Sequence, residues 1–483
     1  MTFQRPTTPQ PLGMVEALIP ILVLVGLVSL SFYLYGDAGI FGPNQVALAI
    51  AAMVAVFIGW RRGHTLEALR EAAVTSVRSG ISAIFILFAV GALIGTWAMS
   101  GTLVAMVYYG MMILSPTHFY VTAALVCAAV SFAIGTSWTT VGTVGVGLMG
   151  IATSMEVNLA ITAGAVISGS YFGDKASPLS DTANLVASAA GADLYRHIRE
   201  TLITSGTTLT IVLVVFWMLG SPREFDGSAK MAALDSAFHV TPWLALPLAV
   251  VVVLAVLKVP PFTTIFTGAL VGGLVAVAFG ADRVVAFAEM DAEAPRALAL
   301  FKGVWLALSS GYRTETGVPA VDLLVNRGGM DSMLHTVWLV IAALAFGGVI
   351  EVIGAIERII TPIVSAAKSA GMLVASVVGA VFATNVATAD QYMAAILPAR
   401  MFRKEFEERG YAPTVMSRAI GDSATPTGAL IPWNSCGAYM AATLGVSTVA
   451  YAPYAIFNFV APILTILFAF CGIRMARAAL PAT

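Results

Sequence analysis

Long apolar segments, each long enough to cross a lipid bilayer, recur along this sequence and restrict the folds open to it. The clearest are 14–35, 44–60, 81–99, 201–219, 242–257, 262–280, 336–356 and 453–473. A transmembrane helix needs about 20 mostly apolar residues. Only 11% of the residues are charged, whereas soluble domains have about 25%. We therefore predict an all-α polytopic membrane protein with about 10–12 membrane segments.

Charge and cysteine content exclude several other classes of protein. The formal net charge is -1, so the chain has no basic surface for a nucleic acid. Cys127, Cys436 and Cys471 are far apart and lie in apolar runs, which favours helix packing over a metal site or disulfide framework. We expect no cofactor, and we expect the lipid bilayer to be the main surrounding partner.

The distribution of basic residues predicts the orientation of the chain in the membrane. The segment 61–80 carries four arginines, whereas the first loop has none. Positively charged loops stay in the cytoplasm, which places this segment and the N-terminus there. The segments 195–199 and 400–409 are also basic and are predicted to be cytoplasmic.

Changes in composition divide the chain into two halves. Residues 1–43 form an N-terminal tail and a first transmembrane helix, and 44–220 form the first repeat. A loop over 221–241 leads to the second repeat, 242–475. Within the second repeat, 281–335 reads as a connecting segment with amphipathic pieces.

An internal repeat marks the centre of the predicted fold. Residues 173–178 read GDKASP and 421–426 read GDSATP, and their first residues are 248 positions apart. At the same spacing, Thr-Ser at 136–137 matches Thr-Asn at 384–385. Such breaks survive at membrane depth only where protein or water surrounds the freed backbone groups. Paired broken helices indicate a transporter site, and we predict inverted repeats. A Pro-kinked helix with structural hydroxyls is the alternative.

Four acids in these apolar surroundings are predicted to bind the transported ions and protons: Asp174, Asp181, Asp390 and Asp422. A charge at the centre of a membrane helix costs at least ~2.5–3.5 kcal/mol, so it indicates function by default. Carboxylates that share a poorly solvated site bind protons more tightly. Competition between Na⁺ and H⁺ for one site is then the simplest mechanism of exchange.

Other polar residues are candidate supporting or substrate-binding groups. Lys175 is interpreted as an ion-pair partner, with snorkelling to the interface as the alternative. Glu351 is a buried acid or a carboxylate near a helix end. The remaining candidates, each of which is equally consistent with hydrogen bonding between helices, are Thr136, Ser137, Thr139, Ser177, Asn184, Thr384, Asn385, Thr388, Thr425 and Asn434.

Three motifs resemble the NhaC family of bacterial Na⁺/H⁺ antiporters and its malate/lactate-exchanging relatives. They are GTSWTTVGTVG at 135–145, SGSYFGDKASPLSDTANL at 168–185 and AFGGVIE at 345–351. The resemblance implies two inverted repeats, each with a re-entrant hairpin and a broken helix. It also implies a homodimer in the bacterial cytoplasmic membrane.

Carried onto this chain, the resemblance places the hairpin tips at 135–140 and 384–388. The helix breaks fall at 173–181 and 421–426. Family membership implies ion coupling more strongly than it implies the cargo.

Three functions are consistent with these patterns. The first is exchange of Na⁺ for H⁺, with Asp174 and Asp422 as the alternating carriers. The second keeps the fold but transports an organic anion or an amino acid coupled to Na⁺ or H⁺. The third, an intramembrane aspartyl protease using the same two acids, is remote because the repeated motif has no purpose there.

Overall fold

The computed structural model describes residues 8–220, 226–291 and 293–477, and this part of the chain contains no β-strand. The helices of the first half are α1 (Met14–Tyr35), α2 (Pro43–Arg61), α3 (Leu66–Ser79), α4 (Ile81–Ser100), α5 (Thr102–Ile113), α6 (Phe119–Ile134), α7 (Ser137–Thr140), α8 (Val146–Ser154), α9 (Leu159–Ala176), α10 (Asp181–Ala190) and α11 (Leu194–Leu219).

The second half continues with α12 (Ser228–Phe238), α13 (Leu246–Val256), α14 (Pro261–Ala288), α15 (Arg296–Ser310), α16 (Pro319–Val325), α17 (Leu334–Val352), α18 (Ala355–Ala366), α19 (Ala370–Thr388), α20 (Gln391–Glu408), α21 (Pro413–Gly421), α22 (Ala424–Gly428), α23 (Ser435–Leu444), α24 (Thr448–Tyr451) and α25 (Ile456–Phe470). The chain is thus an all-α polytopic membrane protein, as predicted.

Eight helices in the described residues are long and apolar enough to cross a membrane, or ten if each of two bent pairs counts as one span. The bent pairs are 228–256 and 448–470, with bends of 86° and 53°. The predicted loop 221–241 therefore contains helix α12, while 221–225 lie outside the described residues. The connecting segment 281–335 holds α15 and α16.

Glycines allow helices α6 and α9 to pack with their backbones in contact. A Cβ atom at Gly169 would overlap the carbonyl oxygen of Ala124, and one at Gly173 would overlap the backbone nitrogen of Phe132. Small residues at helix interfaces permit this close approach in membranes. The contact fixes α9, which carries Asp174, against α6.

Replacing Gly169 with Ala is expected to destabilise the protein by about 1–3 kcal/mol, because the added methyl group meets rigid backbone. Gly206 in α11 is a matched control, since no atom of the described residues lies within 4 Å of a Cβ built there. Thermal unfolding in detergent should show a lower midpoint for Gly169→Ala and an equal or higher one for Gly206→Ala. Equal midpoints for both variants would contradict the close α6–α9 packing.

The three predicted cytoplasmic segments lie at one end of the molecule. Gly59, just before Arg61, packs against Ile353, and Glu351 interacts electrostatically with Arg400. The segment 195–199 lies at the same end, because nearby Gly191 packs against Arg403 of the segment 400–409. The basic residues of 61–80, 195–199 and 400–409 therefore support a single orientation.

One local arrangement occurs twice along the chain, at a spacing of 254 residues. Helix α6 ends in Gly135 (φ 83) and helix α19 ends in Ala389 (φ 57), each in a left-handed conformation. Ser180 caps the N-terminus of α10, and Asn434 caps that of α23. Further matches at this spacing are Ser131 with Asn385, Gly191 with Gly445, and Asp193 with Ser447.

The hydrogen bonds of the two copies also correspond. Ser131 Oγ donates to the carbonyl oxygen of Ser170 at 2.6 Å, and Asn385 Nδ2 donates to that of Ala424 at 2.7 Å. Gly191 lies at the basic end of the molecule, whereas Gly445 lines a cavity with Phe41, at the opposite end. This arrangement supports the predicted inverted repeats, with a spacing of 254 rather than 248.

Candidate ion-binding site

Three of the four predicted acids line one partly open cavity of about 200 Å³, in which Asp174 and Asp390 are buried and Asp181 is exposed. They are Asp174, Asp181 and Asp390, and the lining contains no Lys, Arg or His. The other lining residues are Ser79, Gly80, Ser82, Ala83, Ile86, Thr136, Trp138, Thr182, Pro261, Leu344, Gln391, Tyr392 and Ser435. The cavity is therefore strongly electronegative and of a size for a cation with a few waters.

Asp174 is held by four donors at the end of helix α9. Its Oδ2 accepts hydrogen bonds from the backbone N–H of Ser137 (3.1 Å) and from the Ser137 hydroxyl (2.7 Å). Its Oδ1 accepts from the hydroxyls of Ser180 (2.7 Å) and Thr182 (3.2 Å). Hydrogen bonds of this kind stabilise a carboxylate that burial would otherwise neutralise. Pro178 follows α9 and prevents the helix from continuing, which brings the Ser180 hydroxyl back onto the carboxylate.

Asp181 is the first residue of α10, and Asp390 immediately precedes α20. Tyr392 forms hydrogen bonds with both acids. The Tyr392 hydroxyl donates to Asp181 Oδ2 at 3.0 Å, while its backbone N–H donates to Asp390 Oδ1 at 2.6 Å. Asp390 is the N-cap of α20, which explains the second bond. Both carboxylates also lie at the positive end of a helix dipole, which favours negative charge.

Matched positions of the two halves converge on this cavity. At the spacing of 254 residues, Thr136 corresponds to Asp390 and Trp138 corresponds to Tyr392, and all four residues line it. Asp181 and its counterpart Ser435 line it as well. The cavity thus lies at the junction of the two copies, which is where secondary transporters built from repeats place their sites.

The cavity also offers uncharged oxygen atoms for a hard cation. Gln391 Oε1 is buried and has no hydrogen-bond partner among the described residues. Hydroxyls of Thr136, Thr182 and Ser435 line the same space. In the described part of the chain, no three acids, histidines or cysteines are close enough to hold one metal ion together. A cation here would be bound by one or two carboxylates with neutral oxygens.

The fourth predicted acid, Asp422, lies outside this cavity and forms a buried ion pair with Lys175. The exposed fractions of the two side chains are 0% and 3%. Of the two alternatives for Lys175, the structure shows the ion pair, but its partner is Asp422 rather than the adjacent Asp174. At the spacing of 254 residues, the counterpart of Asp174 is Gly428, so the two acids do not occupy equivalent positions.

Further polar groups surround the ion pair. Thr204 Oγ1 donates to Asp422 Oδ1 at 3.2 Å, and Lys175 Nζ lies 5.5 Å from the centre of the Phe457 ring. Arg418, with an exposed fraction of 1%, lies 3.9 Å from Glu200 Oε2. Asp422 is thus compensated by basic groups, unlike the three acids of the cavity.

The remaining predicted residues have varied surroundings. Thr139 lines an adjoining cavity of about 220 Å³ that also contains Lys258 and shares Asp181 with the first. Asn385 and Asn434 are hydrogen-bonded to each other at 3.1 Å. Side chains that bond to nearby backbone or lie away from the cavity are Ser177, Asn184, Thr384 and Thr388. Glu351 is exposed near the end of α17, and Thr425 is buried outside the cavity.

Several residues of the site were missed by the sequence reasoning. Ser180, Thr182, Gln391 and Tyr392 bind or accompany the acids but were not singled out. Each is within two residues of a predicted acid, so the polar runs SPLSDTAN and NVATADQY contained the signal.

The fold and the cavity define a polytopic membrane protein with an acid-lined cavity among its helices. The sequence matches the Na⁺/H⁺ antiporter family over residues 16–220 and 169–473. The chain belongs to this family, and it is an antiporter rather than an enzyme, which excludes the aspartyl protease alternative.

Similar proteins carry more than one kind of cargo. The chain is 37% identical to the Na⁺/H⁺ antiporter NhaC of Alkalihalophilus pseudofirmus, over 90% of this chain and 91% of that one. It is 32% identical to a malate-2H⁺/Na⁺-lactate antiporter of Bacillus subtilis, over 95% and 94%. It is 31% identical to the arginine/ornithine antiporter ArcD of Halobacterium salinarum, over 95% and 92%.

Proposed function

We propose that this chain exchanges Na⁺ for H⁺ across the bacterial cytoplasmic membrane through the cavity lined by Asp174, Asp181 and Asp390. The observation that carries the proposal is the convergence of three carboxylates, with no basic side chain, on one small cavity. Family membership and the NhaC relative support the same activity.

Electrostatics explains how one cavity serves both ions. The carboxylates that share this cavity repel one another, most strongly where burial lowers the local dielectric constant, as at Asp174 and Asp390, and a bound cation compensates this repulsion. Either a proton or Na⁺ supplies the compensation, so the binding of one displaces the other. In this mechanism Asp174 is a principal carrier, and Asp181 and Asp390 share the charge.

The depth of the cavity suits this mechanism. Its lining extends from Ser79 and Gly80, at the junction of α3 and α4, to Leu344 near the middle of α17 (Leu334–Val352). A site close to the centre of a spanning helix can open to either side through a modest rearrangement of the two halves. The homodimer implied by the family resemblance remains a prediction.

An Na⁺ gradient imposed across proteoliposomes that contain the purified protein should move protons in the opposite direction without any organic solute. A fluorescent pH indicator inside the vesicles measures the movement, with K⁺ gradients and empty liposomes as controls. Absence of proton movement with both Na⁺ and Li⁺ would exclude simple cation–proton exchange.

A second candidate is exchange of an organic acid or amino acid coupled to Na⁺ or H⁺. The malate/lactate and arginine/ornithine antiporters among the relatives favour it. If the proteoliposomes move protons only when malate, lactate or an amino acid is present, this candidate replaces the first.

A further inference from the structure

A second cavity, of about 410 Å³, lies at the end of the molecule opposite the basic segments. We call it the outer cavity. Its lining residues are Ile40, Phe41, Ile94, Arg327, Gly328, Ser332, Met333, His335, Thr336, Ala441, Ala442, Gly445, Val446 and Ser447. Phe41 is on the connection between α1 and α2, at the other end of α2 from Arg61. The basic-residue distribution therefore places the outer cavity on the external side.

The outer cavity and the acid-lined cavity lie along the same three helices. Helix α4 contributes Ile86 to the acid-lined cavity and Ile94 to the outer one. Helix α17 likewise contributes Leu344 to the acid-lined cavity and Thr336 to the outer one. Eight residues of α-helix span roughly 12 Å.

Helix α23 is the third, with Ser435 in the acid-lined cavity and Ala441 in the outer one. Between these two positions lies Tyr439, whose ring stacks on Trp138 with the ring centres 4.1 Å apart. The stacked rings of Trp138 and Tyr439 therefore lie between the outer cavity and the acid-lined cavity.

The charge of the outer cavity is opposite to that of the acid-lined one. Its lining contains Arg327 and His335 and no acidic residue. Among the described residues, no carboxylate pairs with Arg327. A partly buried cation without a counter-ion is costly, and it is found where a ligand provides the missing charge.

The backbone holds Arg327 in place for such a ligand. Gly328 and Gly329 adopt left-handed conformations (φ 87 and 92), and the Gly329 N–H donates to the carbonyl oxygen of Gly91 at 2.7 Å. This anchors the segment to α4. Hydroxyls of Ser332, Thr336 and Ser447 in the same lining can accept or donate hydrogen bonds.

We propose that the outer cavity binds a small organic carboxylate, with Arg327 as its anchoring cation and the neighbouring hydroxyls as orienting groups. The guanidinium fork matches the two oxygens of a carboxylate, and the apolar residues Ile94, Phe41 and Val446 suit a carbon skeleton. A bare Na⁺ ion is repelled by Arg327, so the cavity selects an anion. This inference concerns binding alone and does not depend on Na⁺/H⁺ exchange.

Equilibrium binding of radiolabelled L-malate and L-lactate to the full-length protein in lipid nanodiscs tests the proposal. We expect at least one of the two to bind, and Arg327→Gln to weaken that binding about tenfold or more, as for the loss of a charge-assisted hydrogen-bonded pair. Arg313→Gln is the matched control, because Arg313 is exposed, lies in the same segment and does not line the cavity. It should bind as the unmodified protein does.

A second variant keeps the test valid if Arg327→Gln fails to fold. Ala442→Trp leaves Arg327 intact but fills the outer cavity, so it should also abolish binding. Binding of neither acid to the unmodified protein, or binding that survives both variants, would overturn the proposal. Equal competition by chloride or phosphate would also overturn it, because the site would then recognise inorganic anions only.

Discussion

Replacing Asp174 with Asn should reduce Na⁺-driven proton movement in proteoliposomes to the level of empty vesicles. Asp174 is the acid with the most donors around it, and it lines the cavity with Asp181 and Asp390. The amide removes the negative charge that a proton or Na⁺ compensates. Without that charge, the two ions no longer compete at this position.

The Asn variant is suited to this test because its fold should survive. The Asn oxygen can still accept the N–H of Ser137, and the hydroxyls of Ser180 and Thr182 can rotate to accept from the amide. Asp282→Asn, at a side chain with an exposed fraction of 93%, is the control and should transport normally. Full activity of Asp174→Asn in a correctly folded protein would refute the assignment of Asp174 as a carrier.

Replacing Lys175 with Met should destabilise the protein by about 3–5 kcal/mol, because it leaves the buried carboxylate of Asp422 without its partner. The double variant Lys175→Met/Asp422→Leu should recover most of this loss, since apolar residues of similar volume often replace a buried ion pair without cost. Thr204 keeps a hydrogen bond to the carbonyl oxygen of Thr201 when Asp422 is removed. Thermal unfolding in detergent measures each variant.

Transport by the double variant separates two roles for Asp422. If the ion pair serves stability alone, the double variant should exchange Na⁺ for H⁺ once its fold is restored. A stable but inactive double variant would instead indicate that Asp422 itself carries an ion or proton, as the repeated motif suggests. Arg418→Gln is not a suitable control, because that side chain is buried beside the same pair.

The membrane architecture could be predicted from the sequence because it depends on local properties. The apolar run 14–35 coincides with α1, and 336–356 overlaps α17. The hydrophobic length of a spanning segment can be read directly. Segments interrupted by Gly and Pro, such as 103–192 and 359–452, cannot be divided into spans from the sequence alone. They form short helices whose ends depend on contacts with distant parts of the chain.

The composition of the site was only partly predictable, for geometric reasons. Asp174 and Lys175 are neighbours in sequence, yet successive residues of an α-helix point about 100° apart. One side chain therefore reaches the cavity and the other reaches Asp422. A sequence shows which residues are polar, but the direction of each depends on how α9 is rotated against its neighbours.

The spacing of the repeat was misleading for a similar reason. The GDxA(S/T)P motifs are 248 residues apart, whereas helix ends and hydrogen bonds correspond at 254. The sequence comparison detects identical residues, but two segments can have the same backbone geometry with different residues. Ser131 and Asn385 make the same bond with different side chains.

The ion pair between Lys175 and Asp422 also has a consequence for biogenesis. The two residues are 247 positions apart, so the ribosome completes the first half long before it supplies the partner carboxylate. During that interval the first half lacks the carboxylate that pairs with the Lys175 ammonium group. This ion pair can close only when both halves are present, so a prematurely terminated chain lacks it.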